Sequence, residues 1–150
     1  MSVEELYREV ILDHYRNPRN RDRIDDPDAH AEGTNPLCGD EVAIDLVYDG
    51  DVVSEVSVRG QGCSISQSSA SMMSEAIKGK SKAEVQELSD RFKTMMSITE
   101  GKDPGLDPER PGAVLGDLEA LQGVRKFPVR IKCADLAWTT LEQALDGPPT

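Results

Sequence analysis

The chain has 150 residues, enough for one domain with a real core, and it is 37% apolar but only 4% aromatic. That core is therefore expected to be mainly aliphatic and methionine. With 28 acidic against 17 basic residues and a net charge of −11, the composition speaks against nonspecific binding to nucleic acid or to anionic membranes. The acidity serves solubility or offers an acidic face to a basic protein.

No apolar run approaches the length needed to span a bilayer, and the acidic start from Met1 to Glu5 is unlike a signal peptide. A cytoplasmic chain is expected, with no nucleic-acid and no membrane partner. Three cysteines make an odd number for a disulfide framework, and in the cytoplasm they point to metal binding, catalysis or packing.

Ser2 and Glu5 form a predicted capping box. Behind it Val3, Leu6, Tyr7, Val10, Ile11 and His14 recur at helical spacing, which predicts a helix over 3–15. Asn17-Pro18 ends it, because the residue before proline is pushed from helical angles. Residues 17–36 are polar, with three prolines and one glycine, and read as an extended arm. Alternation over 42–48, the turn residues Asp49-Gly50 and a second alternating run over 52–58 predict a hairpin across roughly 41–60. It leads into Gly60-Gln61-Gly62-Cys63, where two glycines permit close or unusual backbone geometry.

A helix over 66–78 follows, with a small, serine-rich face and Gly79 as its C-cap. Ser81 and Glu84 mark a second capping box, and Val85, Leu88, Phe92, Met95 and Met96 the next apolar stripe. The methionines are expected in the core rather than on a metal. Residues 100–112 read as a loop, 113–121 as a short helix ending at Gly123. Pro128 opens the last helix, with a buried stripe of Cys133, Leu136, Ala137, Thr140, Leu141, Ala144 and Leu145. No repeat or linker divides the chain, so a single domain over 1–150 is expected. The fold class is α+β: a small antiparallel β-sheet packed with helices.

Cys38 precedes the first strand of the hairpin, Cys63 follows its second, and Cys133 lies near the start of the last helix. The hairpin returns Cys63 towards residue 38. A thiol at a helix N-terminus feels the positive end of the helix dipole, and Arg130 and Lys132 add positive charge near Cys133; both favour thiolate. Three thiolates with the carboxylate of Asp40 would give Zn²⁺ a closed tetrahedral shell, and thiolates equally suit an iron–sulfur cluster. Residue chemistry alone reaches a cysteine-rich metal or sulfur site.

The runs Ile11-Leu12-Asp13-His14-Tyr15-Arg16-Asn17-Pro18-Arg19-Asn20, Asn35-Pro36-Leu37-Cys38-Gly39-Asp40, Gly60-Gln61-Gly62-Cys63-Ser64-Ile65-Ser66 and Arg130-Ile131-Lys132-Cys133 resemble the IscU/SufU family of iron–sulfur cluster assembly proteins. The resemblance covers nearly the whole chain, with the motifs in the family's order. Its departures point to the SufU-like branch. The IscU segment Leu-Pro-Pro-Val-Lys, a chaperone-docking motif, is here Lys126-Phe127-Pro128-Val129-Arg130. Lys132 stands where IscU has a cluster-holding histidine, and additional chain lies around 100–121.

The resemblance implies a zinc-dependent sulfurtransferase that accepts persulfide sulfur from a PLP-dependent cysteine desulfurase of the SufS type, with other Suf assembly proteins as further partners. It implies Zn²⁺ ligands Cys38, Asp40, Cys63 and Cys133, with Cys38 as the sulfur acceptor, displaced from the metal by a desulfurase histidine on docking. Arg130 takes a supporting role. The alternative is a scaffold that assembles and transfers a transient [2Fe–2S] cluster on the same residues. His14, on the apolar stripe of the first helix, is expected to be a hydrogen-bonded structural histidine rather than a ligand, and His30 to be exposed in a polar loop. Trp138 is open between helix surface and interface. Gln61 and the serines of 64–71 are expected to reflect packing and capping, not serine catalysis.

Overall fold

Residues 3–36, 39–96, 98, 106, 109–110 and 112–146 are described in the computed structural model of the chain. Helix α1 covers Val3–Arg16, with Glu4 and Glu5 in its first turn and Arg16 in its last, each sign matching the helix dipole there. The predicted cap at Ser2 lies outside the described residues. Strands β1 (Ala29–Asn35), β2 (Asp40–Asp49) and β3 (Val52–Gln61) form one antiparallel sheet in the order β1-β2-β3. Helices α2 (Ser64–Ile77) and α3 (Lys82–Met95), a 3-10 helix (Gly116–Lys126) and α4 (Pro128–Asp146) complete it. The α+β class and the hairpin are as the sequence predicts.

Strand β1 corrects the extended arm read over 17–36. Its inward positions Ala29, Ala31 and Gly33 are small, so the period of two is present but carries no large apolar residues. The reason is the closeness of α4: a Cβ on Gly33 would come within 2.1 Å of Thr140 Oγ1. On the opposite face, His30 contacts Asp45, whose other carboxylate oxygen accepts from Arg59 Nη2 at 2.6 Å. Asp45 is buried, and its neighbours hold it there. His30 is exposed as expected, but in a paired strand rather than a loop.

The hydrogen bond to Asp45 is the main cause raising the His30 pKa above its ordinary 6.5, with Glu32 adding to it against partial desolvation. A raised folded-state value means that the contribution to stability is complete below about 6.5 and fades as pH rises through the folded value. Melting of the wild type should therefore drop relative to His30→Gln on going from pH 6 to pH 8. The difference should be below about 1 kcal/mol, because water screens this half-exposed ring. Parallel melting curves of the two proteins across that range would show that the pair contributes nothing.

Helix α2 buries Ser66, Ser68, Ser69, Ser71 and Ser74. These hydroxyls stay satisfied at close helix contacts: Ser68 donates to the Ser64 carbonyl at 2.6 Å and Ser69 to that of Ala134 at 2.7 Å. Helix α3 starts on the expected capping box, with Ser81 Oγ accepting from the Glu84 N–H at 3.2 Å and Glu84 Oε1 from the Ser81 N–H at 3.1 Å. Met72, Met73, Met95 and Met96 are all in the core.

The segment predicted as a helix ending at Gly123 instead runs through it as a 3-10 helix to Lys126. Its N-cap Leu115 and its residues Leu118, Leu121 and Val124 are buried at a spacing of three, the turn of a 3-10 helix, with Glu119 and Ala120 buried beside them. Glu119 folds back to accept the Val114 and Leu115 N–H groups at 2.9 and 2.8 Å, satisfying donors that the helix start leaves open. Helix α4 begins at Pro128 as expected. Trp138 is fully buried on it, in line with Ala134 and Leu141 and stacked on Phe92 at 4.6 Å between ring centroids. Among the described residues no helix is long and apolar enough to cross a membrane.

Candidate metal centre

The pairing register sets the site. Asn35 faces Asp40 and Glu41 faces Gln61, so the start of β2 and the end of β3 meet at one end of the sheet. Two residues beyond Gln61, Cys63 becomes the N-cap of α2, its carbonyl accepting the Gln67 N–H at 3.1 Å. That return brings it against Asp40: the Cys63 N–H donates to Asp40 Oδ1 at 2.8 Å, and its sulfur lies 3.8 Å from Oδ2.

Gly62 makes this approach possible. Its φ is +148°, and a Cβ there would stand 2.2 Å from Asp40 Oδ1 and 2.9 Å from Asp40 Cα. The sequence reading of close backbone geometry before Cys63 thus has a specific cause: the glycine clears space for the carboxylate.

Cys133 enters from α4. It is fully buried, and its Sγ lies 3.8 Å from the Val129 carbonyl oxygen one turn earlier. Ligand atoms of Asp40, Cys63 and Cys133 all fall within 4.8 Å of one another, the one such group of three among the described residues. Neither of these cysteines is in a disulfide. Two sulfurs and one carboxylate oxygen at this spread fit a single small ion, since Zn²⁺ bonds to such donors run about 2.0–2.3 Å. Asp40, only 1% exposed, is a buried carboxylate, a group that is costly to bury unless it is paired or on a cation.

Arg130, exposed on the first turn of α4, interacts electrostatically with the same cysteines. Its pKa is pushed above the ordinary value, first by the charge on Cys63 against partial desolvation, with Cys133 adding to the rise. Lys132 is exposed. Cys38, the remaining predicted member, lies outside the described residues, two positions before Asp40 in the chain.

His14 is a structural residue as expected. It is buried, with Nδ1 at 2.8 Å from Ser71 Oγ and Nε2 at 2.8 Å from Asp117 Oδ2, tying α1 to α2 and to the 3-10 helix. Gln61 is exposed and donates to Glu41; the serines of α2 pack as expected, but none caps the helix, whose N-cap Cys63 has no side-chain hydrogen bond. Sequence reasoning names Phe127 and Val129 only as part of an altered chaperone-docking segment; they stand 60% and 61% exposed directly before the site. A signal existed: residues 125–132 hold four basic and no acidic side chains in an acidic chain.

The pattern of the family described as the NifU-like N terminal domain matches residues 6–134. The chain is 46% identical over 144 residues to the zinc-dependent sulfurtransferase SufU of Bacillus subtilis, covering 96% of this chain and 92% of that one. It is 38% identical over 143 residues to the iron–sulfur cluster assembly scaffold protein IscU of Streptococcus pyogenes, covering 95% and 84%. The fold matches the crystal structure of a candidate iron–sulfur cluster assembly scaffold protein for the SUF system from Fervidobacterium islandicum, with TM-score 0.81 and 35% identity over 96% of this chain and 99% of that one. A NifU-like N-terminal protein from Brucella abortus, 21% identical with TM-score 0.79 over 96% and 94% of the two chains, shares the fold.

Proposed function

Because the chain belongs to the NifU-like N-terminal domain family, we propose that it is a zinc-dependent sulfurtransferase of iron–sulfur cluster assembly, fed by a cysteine desulfurase of the SufS type. The observation that carries this reading is the convergence of Asp40, Cys63 and Cys133 within 4.8 Å. Likeness to a relative named as a zinc-dependent sulfurtransferase supports the metal and the reaction.

Cys38, Asp40, Cys63 and Cys133 would hold the ion. Zn²⁺ bound there supplies Lewis acidity, which keeps thiols deprotonated at a pH where a free cysteine is mostly protonated. Asp40 is the hard donor of the set and is fixed by the Cys63 N–H, while Cys63 and Cys133 anchor from two helices. Cys38 is the sulfur acceptor. Its thiolate attacks the terminal sulfur of the donor's persulfide; the donor's sulfur–sulfur bond breaks, its cysteine leaves as thiolate, and a new sulfur–sulfur bond forms on Cys38. Arg130 stabilises the negative charge that these sulfurs share.

The same donors would also suit a transient [2Fe–2S] cluster, and a relative named as an IscU scaffold shares 38% identity. Lys132, exposed and cationic, replaces the ligand that such a scaffold is expected to use. Metal analysis of freshly purified protein, with desulfurase turnover measured for wild type and Cys38→Ser, separates the two. About one zinc per chain and a strong stimulation of turnover, abolished by Cys38→Ser, are expected. Iron and sulfide in the protein with little stimulation would replace this reading with the scaffold. Zinc with no effect on turnover would reduce it to a structural site.

A further inference from the structure

We infer that the turn joining the 3-10 helix to α4 is a preformed docking ridge, on which Phe127 and Val129 enter an apolar socket of the desulfurase rimmed by acidic side chains. This rests on the sulfur-transfer reading of the site and adds to it where, and by what chemistry, the sulfur donor is held.

Among the described residues four large hydrophobic side chains are exposed, and Phe127 and Val129 are the two most exposed of them. Exposed aromatic and aliphatic groups two residues apart make an anchor pair rather than scattered surface. The turn that carries them is held from both sides. The Phe127 N–H donates to the Val124 carbonyl at 2.9 Å, and the Phe127 carbonyl accepts from the N–H groups of Arg130 at 2.8 Å and Ile131 at 3.1 Å. Pro128 fixes its own φ between the two anchors. Arg125 Nη1 ties the end of the 3-10 helix to the Met95 carbonyl at 3.2 Å. A ridge ordered before encounter loses little entropy on binding.

Its position selects the occupant. Val129 is one helical turn before Cys133, with its carbonyl oxygen 3.8 Å from that sulfur, and Arg130 follows it on the same exposed turn. A protein covering Phe127 and Val129 therefore lies over the metal centre, where the sulfur donor must be. Charge narrows the choice further. Lys126, Arg130 and Lys132 surround the anchors in a chain whose net charge is −11, so the ridge suits an acidic rim, while two copies of the chain repel at long range.

Direct binding of the purified zinc-loaded protein to the desulfurase tests this without reference to turnover. For Phe127→Ser/Val129→Ser the Kd should rise roughly tenfold or more, as expected for a central anchor pair. Zinc content and melting temperature should stay at wild-type values, because both side chains are exposed. For Lys126→Glu/Lys132→Glu, affinity should fall at low salt and its dependence on ionic strength should flatten. Wild-type Kd in the Phe127/Val129 variant overturns the proposal. So does a wild-type dimer in sedimentation that the same variant converts to monomer, since the ridge would then serve self-association. If the Kd shifts as expected while Cys38→Ser still stimulates the desulfurase fully, the ridge stands and the sulfur-acceptor role of Cys38 falls.

Discussion

Gly62→Ala is expected to lower zinc affinity by about 10–100-fold, the range seen when the groups that orient metal ligands are disturbed. The new methyl would occupy a point 2.2 Å from Asp40 Oδ1 and 2.9 Å from Asp40 Cα. The second contact is to the main chain of β2, so rotating the carboxylate aside does not relieve it. Either Asp40 moves away from the Cys63 N–H or the end of β3 withdraws from β2, and both separate the donors. Backbone strain alone is a competing cause, because a side chain at φ +148° is unfavourable anywhere. Gly79→Ala isolates that term: it also has positive φ, +85°, but nothing lies within 4 Å of its Cβ position. Competition with a chromogenic chelator should show normal zinc affinity for Gly79→Ala and weakened affinity for Gly62→Ala. Equal affinities would show that Asp40 does not need the space that Gly62 provides.

The largest loss of stability is expected from Trp138→Ala. The indole is fully buried, stacks on Phe92 with an interplanar angle of 18°, and donates Nε1–H to Ser69 Oγ at 3.3 Å. Truncation opens a cavity where α2, α3 and α4 meet, costing about 3–5 kcal/mol. For a chain of this size that lowers Tm on the order of 10 °C. Trp138→Phe keeps most of the ring contact and should lose less. Circular dichroism melting suits both variants, since Trp138 is the only tryptophan and its fluorescence disappears with it. A drop of less than about 2 °C for the alanine variant would mean that neighbouring side chains close the gap.

The parts of the fold readable from sequence are those where one residue type carries the structural period. Strands β2 and β3 alternate large aliphatic residues, and α3 advertises its start through Ser81 and Glu84. Strand β1 was hidden because the helix above it leaves space only for Ala29, Ala31 and Gly33. The 3-10 helix was misjudged because Gly123 looks like a stop, whereas the spacing from Leu115 to Val124 was the better guide. Asp45 is held by partners 14 and 15 residues away in the chain, a relation that becomes visible only with strand register.

The candidate metal site was more legible, since Asp40, Cys63 and Cys133 lie at the ends of elements that the hairpin brings together. Arg130 is expected in support, and the charge on Cys63 is the main cause raising its pKa. Nothing in the periodicity of α4 separated Trp138 from a surface residue, because α4 is buried along Cys133, Ala134, Ala137, Trp138 and Leu141 rather than along one narrow stripe.

The donors of the candidate centre come from β2, from the head of α2 and from the second turn of α4, so 92 residues of chain lie between Asp40 and Cys133. An ion gripping all three is a reversible crosslink over that span, formed only in the native arrangement. Its binding free energy then adds to folding, by about 4 kcal/mol when free zinc exceeds its dissociation constant a thousandfold. Zinc supply would thus govern not only whether a sulfur can be received, but how much of the protein survives to receive it.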